Sequence, residues 1–251
     1  MIRIIIHGCN GKMGKVVAKL AAESPDFKIV AGVDKNISPL DFPVYSDLKD
    51  VKEEADVVID FSYHEAVPNL VKAALQKKLP VVIATTGLSE EELKVIEEAS
   101  KEIPIFKSAN MSLGVNILIN LVKEAAKILQ QDFDIEIIEK HHNMKKDAPS
   151  GTALMIADSI NQVLNDKKEY VYGRHTKTEQ RKPNELGIHA VRGGTIVGEH
   201  QVIFAGHDEV ITISHSAQSR EIFGYGALQA AKFIINQKPG LYTMEDLVKK
   251  G

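Results

Sequence analysis

Ile2-Arg3-Ile4-Ile5-Ile6-His7-Gly8-Cys9-Asn10-Gly11-Lys12-Met13-Gly14 opens the chain, and its reading decides the fold. Residues 2–6 form a short apolar β-type run, and Val16, Val17, Leu20 and Ala21 then recur at helical spacing. Strand, glycine turn and helix in that order make a phosphate-binding unit. The helix N-terminus offers N–H groups and the positive end of its dipole, and the glycines let a pyrophosphate approach the backbone. Gly8, Gly11 and Gly14 are spaced three and three, against two and three in the commoner dinucleotide fingerprint, so the turn needs support from its context.

The context supplies it. A strand expected over residues 28–33 ends in Asp34, twenty positions after Gly14, where a carboxylate hydrogen-bonds a ribose 2′-hydroxyl. Lys35 beside it and Lys12 in the turn suit a 2′-phosphate equally, so NADH and NADPH both remain open. Strands are expected at 56–61, 80–84 and 103–107, with helices at 64–77 and 89–101. Ser89 with Glu92 forms a capping box at the start of the second helix. This alternation means a doubly wound, Rossmann-type parallel sheet, with ligands beyond the carboxyl ends of its strands. The loops there carry Phe61-Ser62-Tyr63-His64, Thr85-Thr86-Gly87 and Ser108-Ala109-Asn110-Met111. Their hydroxyls and amide suit a ribose and a nicotinamide carboxamide, although turns and helix caps use the same residue types.

At 251 residues the chain has room for one large domain or two small ones. A net charge of −3 gives no reason to expect nucleic acid or membrane as a partner, which leaves small molecules. The single cysteine, Cys9, excludes an internal disulfide and fits a reducing, cytoplasmic setting. The apolar N-terminus is too short for a signal segment, and no later stretch approaches a membrane span.

A helical pattern over 114–129 leads to the apolar run Ile135–Ile138 and then to Glu139-Lys140-His141-His142-Asn143-Met144-Lys145-Lys146-Asp147-Ala148-Pro149-Ser150-Gly151-Thr152. Ser150 has the type and position of an N-cap for a helix over 152–160. The first N–H groups of that helix, at Gly151 and Thr152, then form an anion site that a carboxylate fits. Lys145 and Lys146 add positive charge, while His141 and His142 exchange protons near neutral pH. The combination points to an anionic substrate and acid catalysis; the plainer alternative is a solvated charged loop. No metal is expected, because there is one cysteine and no His-Glu-x-x-His pattern.

Residues 165–187 read as an exposed, mobile loop, followed by strands at 187–192, 195–204 and 209–215. Their short connections predict antiparallel pairing and a second, α+β domain with a mainly antiparallel open sheet, one face of which can serve as an oligomer interface. An apolar helix over 223–235 needs a surface to pack on.

The run Glu139–Ala153 closely resembles the signature of the 4-hydroxy-tetrahydrodipicolinate (dihydrodipicolinate) reductase family of bacterial lysine and diaminopimelate biosynthesis. The likeness extends along the chain through Gly8–Gly14, Thr85-Thr86-Gly87, Ala109-Asn110, Gly114-Val-Asn116, Arg192-Gly-Gly194, Val197-Gly-Glu-His200 and Ser214–Arg220. It implies an oxidoreductase that transfers hydride from NADH or NADPH to C4 of a small cyclic dicarboxylate imine, giving tetrahydrodipicolinate. By the same resemblance His141 is the acid/base group and Lys145 the proton-donating lysine, while His142, Gly151 and Thr152 hold substrate carboxylate. Gly8, Cys9, Asn10, Gly11, Lys12, Met13, Asp34, Lys35, Thr85, Thr86, Ala109, Asn110 and Met111 contact the coenzyme. The implied domains are 1–111 with 220–251 for the dinucleotide, and 112–219 for substrate and assembly. The implied assembly is a homotetramer built through the second sheet, with the C-terminal helix returned to the coenzyme domain. Met144, where many relatives have a polar or basic residue, and Ala84, where glycine often stands, depart from the pattern. The alternatives are a non-catalytic NAD(P)-sensing protein and another small-acid dehydrogenase.

Overall fold

The computed structural model describes residues 1–249. Along the chain run β1 (Ile2–His7), α1 (Lys12–Ala22), β2 (Phe27–Val33), β3 (Val44–Tyr45), β4 (Val57–Asp60), α2 (Val67–Lys77), β5 (Val81–Ile83), α3 (Glu90–Ser100) and β6 (Pro104–Lys107). Then come α4 (Leu113–Leu129), β7 (Asp134–His141), α5 (Gly151–Asn161), β8 (Glu169–Tyr172), β9 (Glu185–Arg192), β10 (Gly198–Ala205), β11 (Val210–Ala217), α6 (Glu221–Ile234), β12 (Gly240–Tyr242) and α7 (Met244–Lys249). The chain divides into two compact units, one made of Met1–Leu113 with the segment from Glu221 onward, the other of Gly114–Arg220.

The first unit is an α/β layer structure on a parallel sheet of order β12-β6-β5-β4-β1-β2-β3. Alternate residues of each strand enter opposite cores, which is why these strands read as unbroken apolar runs. Ile4, Ile6, Ile59 and Phe106 pack with Val17 of α1 and with Ala227, Leu228 and Ile234 of α6. Ile5, Val58, Ile83 and Ile105 pack on the other face with Val71 of α2 and Ile96 of α3. The apolar tail helix thus finds its surface in this unit. Both capping-box bonds form at Ser89 and Glu92. The helix expected from His64 begins as a 3₁₀ turn, His64–Ala66, and turns α-helical only at Val67, with Pro68 in its first turn. β3 and β12 are two and three residues long, too short to carry an alternation pattern, and were not foreseen.

The second unit has a five-stranded sheet of order β11-β10-β7-β9-β8, with α4 and α5 supplying Val115, Leu118, Val122, Ile156 and Ile160 to cover Ile135, Ile137, Leu186, Val202 and Phe204. The sheet is mixed: β11–β10 and β10–β7 pair antiparallel, β7–β9 and β9–β8 parallel. The short link between β9 and β10 is therefore not a hairpin, as its length had suggested. Residues 193–197 cross the end of β7, spanning two strand spacings, about 10 Å. They are tied to it as they pass: Gly193 N–H donates to the His141 carbonyl at 2.9 Å and Asn143 N–H to the Gly194 carbonyl at 3.2 Å. The segment expected as a free loop is likewise organised. It contains β8, and Arg174 and Arg181 reach back to Glu136 at 2.6 and 3.0 Å.

Candidate active site

In the first unit the parallel strands bring the β1, β4, β5 and β6 loops to one edge of the sheet. Gly8 has a φ of 79°, and a Cβ there would lie 2.6 Å from the Phe61 carbonyl oxygen. At Gly14 a Cβ would lie 2.1 Å from the Gly8 carbonyl oxygen, so α1 packs on the turn only because glycine stands there. Gly11 is the N-cap of α1 and makes no side-chain cap bond, which leaves the helix head bare for an anion. Asp34 is held at the end of β2. Its Oδ2 accepts from Asn10 N–H and its Oδ1 from Asn36 N–H, each at 2.9 Å, while Asn10 Nδ2 donates to the Asn36 carbonyl at 2.6 Å. Lys12, Lys35, Thr86 and Ala109 are exposed around this edge and Met13 is half-buried.

Four expected coenzyme residues have their side chains committed elsewhere. Cys9 and Met111 lie in the apolar core, and burial pushes the Cys9 thiol up to about 11. Asn110 Oδ1 accepts from Ser112 N–H at 2.9 Å. The Thr85 hydroxyl donates to the fully buried Asp60 at 2.7 Å, where Asp60 also receives the Ser62 hydroxyl and His7 Nδ1, each at 2.6 Å. Cys9 and Met111 thus have only backbone to offer a ligand. The Asp60 cluster, which sequence reading missed, locks three adjacent strand ends together.

The second-unit site grows from the end of β7. Glu139 shares the face of Ile135 and Ile137 and is fully buried. Its Oε2 accepts from His141 Nδ1 at 2.6 Å and its Oε1 from Ser150 N–H at 2.9 Å. Arg192 closes on both oxygens, at 2.8 and 2.7 Å. Burial drives the Glu139 carboxyl up, but hydrogen bonds from Arg192, His141 and Ser150 outweigh it and hold the group below the usual carboxylate range. A carboxylate only accepts, so His141 carries its proton on Nδ1 and leaves Nε2 as the reactive nitrogen, against the bare Cα of Gly198.

Ser150 caps α5 as its sequence position required, accepting from Ala153 N–H at 3.2 Å. Its hydroxyl also lies 3.0 Å from Nε2 of the buried His200. Burial, followed by the neighbouring His141, pushes His200 down to about 4, so it is neutral at pH 7. Gly151 is exposed with open space where a Cβ would stand, and Thr152 is half-buried beside it. Lys145 Nζ pairs with Asp147 at 2.8 Å, and this pairing chiefly holds the Asp147 carboxyl low. His142 is half-buried, with an Nδ1 that has no partner among the described residues, and Lys146 is exposed.

Models of the dihydrodipicolinate reductase family match residues 2–111, as its N-terminus, and 114–248, as its C-terminus. The chain belongs to the dihydrodipicolinate reductase family. A 4-hydroxy-tetrahydrodipicolinate reductase of Caldanaerobacter subterraneus subsp. tengcongensis is 84% identical over the whole of both chains. One from Clostridium tetani is 53% identical over 98% of this chain and 96% of the relative. A solved structure, a dipicolinate-bound dihydrodipicolinate reductase from Paenisporosarcina sp. TG-14, superposes with a TM-score of 0.84 at 25% identity, covering 97% of each chain. As a dihydrodipicolinate reductase family member the chain is an oxidoreductase with a Rossmann-type dinucleotide domain. Among its described residues no helix is long and apolar enough to cross a membrane, and no group of three or more His, Cys, Asp or Glu side chains is placed to hold a metal ion.

Proposed function

We infer that this chain reduces 4-hydroxy-tetrahydrodipicolinate, by way of dihydrodipicolinate, to tetrahydrodipicolinate in lysine and diaminopimelate biosynthesis. The observation that carries the reading is the shared carboxylate of Glu139, which places an imidazole with a fixed tautomer beside the capped head of α5. In the first unit the Gly8–Gly14 turn, where a Cβ would strike backbone, fits a pyrophosphate. NADH or NADPH bound there supplies the hydride. The residues of the second unit then hold the substrate and handle its proton. Gly151 and Thr152, at the positive end of α5, take one carboxylate, with His142 assisting. His141 and Lys145 deliver the proton that completes net addition of one hydride and one proton.

Consumption of reduced nicotinamide with freshly generated substrate tests the reading, run with NADH and NADPH in parallel. Coenzyme binding without turnover would make the chain a sensor, and turnover of a different acid would make it another dehydrogenase.

The anchored Asp34 carboxylate favours NADH, because it fixes negative charge where a 2′-phosphate would sit, while Lys35 keeps NADPH usable. Asp34→Ser is expected to move the ratio of kcat/KM values toward NADPH by roughly tenfold, about 1.4 kcal/mol. An unchanged ratio would remove Asp34 from coenzyme selection.

The setting is cytoplasmic and the assembly a homotetramer built through the open face of the second sheet. Exposed Val191 on β9 and Val210 on β11, which lie on the face turned away from α4 and α5, support the assembly. Light scattering should give the mass of four chains, and a monomer mass at working concentration would defeat this reading.

A further inference from the structure

The two oxygens of Glu139 are divided between two functional elements. Oε2 faces the imidazole of His141, and Oε1 faces the backbone N–H of Ser150, the cap of α5. Arg192 bridges both oxygens and, through Nη2, also donates to the Asp147 carbonyl at 2.6 Å, which fastens the chain leading from β7 to α5. The bonds come from three separate places along the chain. Strand register brings them together: on one side of β7, Arg192 pairs with His141 in the β7–β9 ladder, and on the other, His200 pairs with Glu139 in the β7–β10 ladder.

We propose that Glu139 is the positioning residue of this site, setting the His141 tautomer through one oxygen and the α5 cap through the other, so that proton delivery and substrate-carboxylate binding depend on a single group. The proposal rests on the roles given above to His141 and to the head of α5.

The chemistry requires an ionised carboxylate. His141 Nδ1–H, Ser150 N–H and two guanidinium N–H groups converge on it, and only a group that accepts at both oxygens satisfies them all. The bidentate arginine compensates a charge that has no access to water. A glutamine has the same shape but one acceptor and one donor. If its NH₂ faces His141, it needs a lone pair on Nδ1 and drives the imidazole proton to Nε2. If its NH₂ faces Ser150 instead, donors oppose donors there and the cap loosens, and in either orientation one Arg192 N–H loses its acceptor. Each orientation breaks one of the two functions.

The test compares the wild-type chain with Glu139→Gln, and with Arg192→Lys as a milder variant that keeps the charge but loses the two-pronged grip. Nitrogen-15 NMR reports which His141 nitrogen carries the proton in the substrate-free protein. Pyridine-2,6-dicarboxylate serves as the probe of carboxylate binding, NADH as the probe of the other unit, and steady-state rates separate kcat from KM. For Glu139→Gln we expect a kcat lower by roughly a hundredfold or more, as when a catalytic histidine loses its tautomer. We also expect proton density moved toward Nε2 or pyridine-2,6-dicarboxylate affinity weakened roughly tenfold, with NADH affinity unchanged. Arg192→Lys keeps the carboxylate and with it the His141 tautomer, but should lower pyridine-2,6-dicarboxylate affinity and kcat in the same direction by less. Should Glu139→Gln fail to fold, Arg192→Lys decides.

A folded Glu139→Gln protein with the wild-type tautomer and wild-type dicarboxylate affinity overturns the proposal, whatever its kcat. So does an Arg192→Lys protein unchanged in dicarboxylate affinity and kcat. Absence of turnover by the wild-type chain defeats the functional reading instead, and the tautomer and dicarboxylate measurements still decide the role of Glu139.

Discussion

Replacing His141 by Ala is expected to lower kcat by roughly 10²–10⁴-fold while the dissociation constant of the nicotinamide coenzyme stays where it was. The orientation of this imidazole is set by a fully buried carboxylate, and its Nε2 is the nitrogen that bond leaves available. Alanine keeps the backbone bonds of the strand end and removes only the proton carrier. Glu139 then loses one of its donors but keeps Arg192 and Ser150, so the cap of α5 is retained and KM should move much less than kcat. Lys145→Ala should lower kcat in the same sense, because it removes the cation that Asp147 holds at the turn. All the expected coenzyme contacts lie in the first unit, so fluorescence titration with NADH should give the wild-type constant for both variants. Full activity in both would remove the proton-transfer roles, and a kcat loss accompanied by lost coenzyme binding would mean general damage.

The reach of the sequence differs from one functional feature to another. The glycine turn, Asp34 and the Ser150 cap are legible because their physics is local: each depends on residues within a few positions or on the strand-turn-helix order. The capping box at Ser89 is legible for the same reason. Arg192 and His200 are 53 and 61 positions from Glu139, and they meet it only through the register of β9 and β10 on β7. A signal did exist, since Glu139 falls on the same strand face as Ile135 and Ile137, and a charge on a core face demands partners. The mixed pairing of the second sheet was hidden for a related reason. Loop length alone does not say whether five residues turn back beside a strand or cross over its neighbour, and the backbone bonds of Gly193 and Asn143 around the end of β7 determine the second outcome. In the first unit, Thr85 was placed at the right edge of the sheet by its strand, but its hydroxyl faces a buried Asp60 that the apolar run of β4 had masked.

Stability should fall as the solution is acidified from about pH 6.5 to about pH 4, and His200 should account for a loss of about 3 kcal/mol. Burial holds this imidazole neutral in the folded chain down to about 4, whereas in the unfolded chain it titrates near its ordinary value of 6.5. Within that window the unfolded state binds a proton that the folded state refuses, so unfolding is favoured increasingly as pH falls. Above pH 6.5 both states are neutral and the effect vanishes; below about 4 both are protonated and no further loss accrues. His200 is only 5% exposed, so solvent screening removes little of the effect. His215, whose pKa is also lowered by burial, adds in the same direction. Glu139, held low by its donors, acts in the same sense but further into acid, where its own protonation in the folded chain ends its contribution. The His200 share is isolated by comparison with His200→Gln, a side chain that can still hydrogen-bond the Ser150 hydroxyl but does not titrate. Urea midpoints measured from pH 7.5 down to pH 4 should decline steeply for the wild-type chain and markedly less for the variant. Parallel declines would mean that His200 takes its proton without unfolding. The same proton would then reach the Ser150 cap, and acid inactivation would arise at the head of α5 rather than from loss of the fold.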